Sequence, residues 1–156
     1  MIPVVKISAV AICMCHASAA LSADYKVKRS IELSSSPSAT WNTIGDFCDI
    51  DDWHPNVSGC TLKVVDGTLV RVLTTGAGNK IEQKRVYQDG LLYSYTTVDH
   101  YLPIEYYRAT LSITPMEKTL IEWTANFSSD DPAMEQIVVK EVEDGMSAIE
   151  EIFMSE

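Results

Sequence analysis

Between Val57 and Ser129 the apolar residues recur with a period of two, broken only by short turn signals. A two-residue period places successive side chains on opposite faces of a sheet, so this half of the chain must form consecutive antiparallel strands. "CTLKVVDGTLVRVLTT" reads as two strands joined at Asp66-Gly67, and "NKIEQKRVYQDGLLYSYTTVD" as two more joined at Asp89-Gly90. Asp-Gly is a strong hairpin signal because both residues tolerate the positive φ of a tight turn. "IEYYRATLSITP" and "TLIEWTANFSS" give a third pair, joined around Met116-Glu117-Lys118. A further strand, Tyr25 to Leu33, precedes all six.

Helical signals flank this run. Ser36 is placed to cap a helix whose first position is Pro37, and Trp41, Ile44 and Phe47 then follow at helical spacing. A second short helical turn is expected from Ile50 to Trp53, ended by Pro55. Asp131 and Pro132 open the last helix, with Met134, Val138, Val142, Met146, Ile149 and Phe153 in steps of three and four. Its expected length is about 34 Å. A sheet with one apolar face needs a cover, and only this helix is long enough to supply one. The expected class is α+β: a seven-stranded curved antiparallel sheet around a long C-terminal helix, with two short helices after the first strand. A gap between such a sheet and its helix is where a pocket forms.

The N-terminal segment follows different rules. Lys6 is its one charge, an apolar run extends from Ile7 to Cys15, and Ala17-Ser18-Ala19-Ala20 follows. This is the pattern of a secretory signal spanning residues 1–23, with cleavage after Ala19 or after Ala23. A membrane anchor is the other reading, although the run is shorter than the ~20 residues that span a bilayer. Neither Cys13 nor Cys15 follows a lipoprotein-type triplet. The domain is thus expected over residues 24–156, periplasmic or secreted, with no integral membrane segment.

Removing Lys6 leaves 11 basic and 22 acidic side chains, a net charge of −11. That surface repels phosphate backbones, so nucleic acid is not an expected partner. Cys48 and Cys60 remain in a chain bound for an oxidising compartment. They can form a disulfide or stay as two buried thiols.

The order of elements, and four pieces of sequence within it, resemble the SRPBCC superfamily. This is the helix-grip fold of START-related and birch-pollen-allergen-like proteins, and the likeness is to its bacterial polyketide cyclase/dehydrase group. The pieces are "SSSPSATWNTIGDF" leading into "DIDDWHPNV", then "YSYTTVDHYLPIEYYRATLSITP", then "TLIEWTANF". The resemblance spans about residues 25 to 154 and implies a cavity for a small hydrophobic or amphipathic molecule. Superfamily members include lipid carriers, hormone receptors and aromatase/cyclases, so the fold alone does not assign a chemistry. Where many relatives carry an acidic residue followed by a basic one, this chain has Gln83-Lys84-Arg85. A lipocalin-like barrel would also suit a secreted carrier, but the helices after the first strand interrupt the barrel order.

Two readings of function follow. One is a binding module for a small hydrophobic ligand; the other is a cyclase or dehydratase acting on a polyketide-like or other carbonyl compound. Under the second, His54 is a general base oriented by Asp51 or Asp52. The competing reading makes Trp53-His54-Pro55 a structural corner. Leu111 and Ile113 belong to the core, so alternation puts Ala109, Tyr107 and Glu105 on the same face, with Tyr106 and Arg108 outward. Glu105 is therefore a candidate functional acid, unless it lies in water at the strand's end. Ile121, Trp123, Ala125 and Phe127 share the core face of the last strand, while the face of Tyr93 and Tyr95 is open. Trp53, His54, Tyr95, Glu105, Tyr107 and Trp123 form the candidate ligand set.

His100 is the only other histidine after the N-terminal segment, and no spacing resembles a metal-ligand set. Phosphate loops, dinucleotide fingerprints and Ser-His-Asp arrangements are absent from the sequence, so no cofactor is expected. The signal reading predicts an exported chain beginning at Ala20 or Asp24. Mass spectrometry finding Met1 intact on the exported protein would refute it.

Overall fold

The computed structural model describes residues 22–155, so the expected signal segment lies outside the described residues apart from Ser22 and Ala23. Its elements are β1 (Ala23–Leu33), α1 (Pro37–Ile44), α2 (Ile50–Trp53), β2 (Val57–Val65), β3 (Thr68–Thr75), β4 (Lys80–Asp89), β5 (Leu92–Asp99), β6 (Tyr106–Pro115), β7 (Thr119–Ser129) and α3 (Ala133–Met154). The strands form one antiparallel sheet in the order β1-β7-β6-β5-β4-β3-β2. This is the expected helix-grip arrangement.

Local chemistry explains where the elements stop. The Ser36 hydroxyl accepts from the Ala39 N–H at 3.2 Å, and Pro37 occupies the start of α1. The helix ends at Ile44, short of the expected Phe47. Gly45 packs against Trp41 so closely that a Cβ there would lie 2.4 Å from the indole. Phe47 instead turns into the core from the connecting segment. A disulfide joins Cys48 to Cys60 with their Cα atoms 5.6 Å apart, and the Asp51 carboxylate accepts from the Cys60 N–H at 2.8 Å. Together they hold α2 to the edge strand β2. A loop of this length contributes about 3 kcal/mol through the chain entropy removed from the unfolded state.

The first hairpin turns at Asp66 and Gly67, both at positive φ (50° and 73°). The second turns one residue later than expected, over Gly90 and Leu91, with Gly90 at φ 51°. Glycine at the first central position is the signature of the alternative mirror-image turn. Two register shifts between β4 and β5 mark bulges, where one strand has one residue more than its partner and bends locally.

The inner face carries Tyr93, Tyr95, Ala109, Leu111, Ile113, Ile121, Trp123, Ala125 and Phe127, all buried. Alternation therefore placed β6 and β7 in the observed phase from Tyr107 onward, and the structure assigns Tyr93 and Tyr95 to the same inner face. Helix α3 lies over it through Met134, Val138, Val142, Met146 and Ile149. The Asp131 carboxylate accepts from the Ala133 N–H at 2.9 Å and so caps its first turn.

Gly145 is where α3 comes closest to what it covers. A Cβ at this position would lie 2.7 Å from His54 Cδ2 and 2.7 Å from Trp123 Cζ3. In an open helix Gly→Ala is worth about 1 kcal/mol of added stability. Here Gly145→Ala should instead destabilise by about 1–3 kcal/mol, since a packed helix, a buried imidazole and an indole must all give way. Denaturant unfolding checks the sign: an unchanged or higher midpoint would show that the crossing can relax.

Candidate functional site

Below the first half of α3 the sheet does not close on the helix, and a cavity of about 360 Å³ remains. This lies within the usual range for small-molecule sites. One wall comes from α3, where Ile137, Val138 and Val142 are apolar and Glu141 adds a carboxylate. The facing wall comes from β4 and β5, where Gln83, Tyr95 and Thr97 point inward. Tyr107 and Trp123 continue it. The mouth is framed by Pro55 and Asn56, by Gly76 and Ala77 after β3, and by His100 to Leu102 after β5.

His54 sits at the edge of this cavity, 4 % exposed, and both of its ring nitrogens are engaged. Nε2 lies 3.0 Å from the Glu141 carbonyl oxygen, and Nδ1 accepts from the Asn56 N–H at 3.2 Å. This pair of bonds specifies a neutral ring that donates from Nε2. Neither Asp51 nor Asp52 orients it: Asp51 is committed to the Cys60 backbone. Asn56 extends the same clasp, its side-chain amide donating to Glu141 Oε1 at 3.3 Å and Asp144 Oδ2 at 3.1 Å. The corner thus fastens the sheet side of the molecule to α3. Burial pushes the His54 pKa below its ordinary 6.5, outweighing the opposing pull of Glu141 and Asp144.

Tyr95, Tyr107 and Trp123 come together on the inner wall. The rings of Tyr95 and Tyr107 are 6.3 Å apart, and Tyr107 stacks on Phe127 at the same separation. Burial raises the Tyr95 phenol to about 12, although the nearby Arg71 cation pulls the other way. Burial also pushes Tyr107 well above its ordinary 10. Both phenols are therefore neutral near pH 7 and serve as hydrogen-bonding groups rather than bases.

Two candidates lie elsewhere. Glu105 is exposed, does not line the cavity, and precedes β6, which begins at Tyr106. Its N–H donates to the Ser128 carbonyl at 2.9 Å, and Ile104 rather than Glu105 is buried. The two-residue phase read back from Leu111 fails beyond the strand's first residue, since alternation holds only where the backbone is extended. Trp53 is buried but stands behind the cavity, edge-on to Trp123 at 5.8 Å.

Arg71 was not singled out by the sequence reading. It is fully buried on the inner side of β3, with its guanidinium carbon 4.4 Å from the Phe47 ring centroid and 4.6 Å from that of Tyr95. Nε donates to Gln83 Oε1 at 2.8 Å and Nη1 to the Phe47 carbonyl at 2.7 Å, while Nη2 has no partner among the described residues. Ring faces and two carbonyl oxygens replace the usual carboxylate, and each cation–π contact in such a dry setting is worth up to ~2 kcal/mol. Arg71 was hard to find because β3 is apolar on both faces, so its phase is hidden. No three His, Cys, Asp or Glu side chains among the described residues converge as metal ligands, and no helix there is long and apolar enough to cross a membrane.

The sequence profile of the family described as polyketide cyclase / dehydrase and lipid transport matches residues 24–153. XoxI of Bacillus cereus is 24% identical, with a TM-score of 0.73 over 83% of this chain and 95% of that one. An aromatase/cyclase from a Streptomyces species is 12% identical, with a TM-score of 0.70 over 81% of this chain and 92% of its own. A START superfamily protein of Mycobacterium smegmatis is 15% identical, with a TM-score of 0.67 over 83% and 97%. At these identities the likeness establishes the fold. No curated protein matches the chain.

The clasp has a pH signature. A buried histidine with a lowered pKa leaves the unfolded state binding more protons below about pH 6.5, so stability falls as pH drops through that point. His54→Gln should cost about 1–3 kcal/mol at neutral pH by leaving buried partners unpaired. It should also lose less than the unchanged protein between about pH 7.5 and about pH 5. Urea midpoints at both values test this; parallel losses in the two proteins would mean that His54 does not carry the acid sensitivity.

Proposed function

The chain belongs to the polyketide cyclase / dehydrase and lipid transport family, and on that premise we propose that it is an exported binding protein for a small amphipathic molecule held between sheet and helix. The carrying observation is the cavity of about 360 Å³, apolar on its α3 side except for Glu141 and lined by neutral hydrogen-bonding groups on its β5 side. Such a site favours a ligand with an apolar body and a few polar atoms. Export is supported by the basic-apolar-small pattern of residues 1–23, and the Cys48–Cys60 bridge suits an oxidising compartment.

The cyclase or dehydratase reading needs a group free to move a proton inside the cavity. Among the candidate residues, His54 has both nitrogens engaged, Glu105 is outside, and Tyr95 and Tyr107 are held neutral. This arrangement supports binding over catalysis. Native mass spectrometry of protein purified from its own host, followed by extraction, separates the two. A retained apolar molecule supports the carrier, whereas an empty protein that turns over a carbonyl substrate overturns it.

Tyr107→Phe probes the wall directly, removing one hydroxyl and keeping the ring. If that hydroxyl bonds the ligand, affinity for the extracted molecule should fall by about 0.5–1.5 kcal/mol while the unfolding midpoint barely moves. An unchanged affinity, or a stability loss of about 1–3 kcal/mol, would place the hydroxyl in the protein's own packing.

A further inference from the structure

The polar wall of the cavity ends in a histidine with an unpartnered ring nitrogen. Gln83 pairs with Thr97 across β4 and β5, and Tyr95 lies two residues deeper on the same strand. Gln83 is engaged through Oε1 with Arg71 at 2.8 Å and through Nε2 with Thr97 Oγ1 at 3.4 Å. His100, just after β5, also lines the cavity. Its Nδ1 is buried and, unlike either nitrogen of His54, has no hydrogen-bond partner among the described residues. A buried polar atom left this way is unusual in a folded protein and calls for a partner.

We propose that His100 is the specificity-determining residue of the cavity, and that the ligand is an uncharged, largely apolar compound whose hydroxyl bonds His100 Nδ1. This rests on the binding function proposed above and names the class of molecule bound. Three features carry it. A hydroxyl both donates and accepts, so it satisfies Nδ1 in either tautomer of the ring, whereas a carbonyl satisfies only one. The two walls differ in kind: Ile137, Val138 and Val142 make the α3 side largely apolar, with Glu141 its one acidic group, while the β5 side offers a line of neutral polar atoms. A molecule with an apolar face and one hydroxylated edge matches both. Charges of both signs border the cavity, Glu141 on the α3 side and Arg71 buried behind Gln83 and Tyr95, so an ion of either sign meets a like charge, which favours a neutral ligand.

β-Naphthol and naphthalene are suitable probes, because they share one apolar body and differ by a single hydroxyl. Titration of the purified protein should show tighter binding of β-naphthol. His100→Leu should weaken β-naphthol roughly ten-fold and leave naphthalene unchanged within about two-fold. His100→Asn, which keeps a polar atom near the Nδ1 position, should restore part of the preference. In the unchanged protein, nitrogen NMR of the imidazoles should show β-naphthol shifting His100 and leaving His54 in place, which decides the matter even if a variant folds poorly. Equal weakening of both probes, or an undisturbed His100 signal, would overturn the assignment while leaving the cavity a binding site. Binding of neither probe to the unchanged protein would overturn both.

Discussion

The structure depends on the contact between α3 and the sheet at Gly145. A helix can cross a sheet this closely only where one of its residues lacks a side chain, and here the space is taken by His54 and Trp123. The hydrogen bond from His54 to the Glu141 carbonyl locks the crossing in place, and Asn56 reinforces it with bonds to Glu141 and Asp144. With one section of the helix held tightly, the section before it stands away from the bent strands. The cavity is the space between these two conditions.

A second polar cluster supports the sheet side. Arg71 is buried between Phe47 and Tyr95 and reaches the Phe47 carbonyl, so it ties β3 to the segment after α1. It also fixes Gln83 by taking its carbonyl oxygen, which leaves the amide nitrogen facing Thr97 and the cavity. The interior is thus organised by charged and polar side chains whose partners are backbone carbonyls, amides and rings. Such networks hold a unique arrangement only when nearly every member is satisfied. The few atoms left over, among them Nδ1 of His100, stand out for that reason.

Two histidines in one small domain have opposite positions. His54 belongs to the most distinctive piece of sequence, and its geometry is that of a fastener. His100 follows β5 with no aspartate cluster around it, and it lines the cavity with one ring nitrogen unpartnered. Residue type and a suggestive neighbourhood of aspartates did not distinguish them. Hydrogen-bond partners did.

The succession of strands along the chain, the two short helices, the long covering helix and the inner face of β6 and β7 were all legible in the sequence. Each rests on local periodicity or on turn and cap residues, which act over a few positions along the chain. Legibility ended where a property depended on residues distant in sequence. Glu105 left the cavity because the strand begins one residue later, and Arg71 was invisible because both faces of β3 are apolar. Gly145 was a visible clue, a glycine inside an otherwise good helix, but its cause lies some ninety positions earlier in His54. The sequence by itself determined which elements form and in what order, since those follow from backbone geometry. Only the tertiary structure decided which polar atoms find partners and which face the cavity, because burial and hydrogen bonding are settled when distant segments pack.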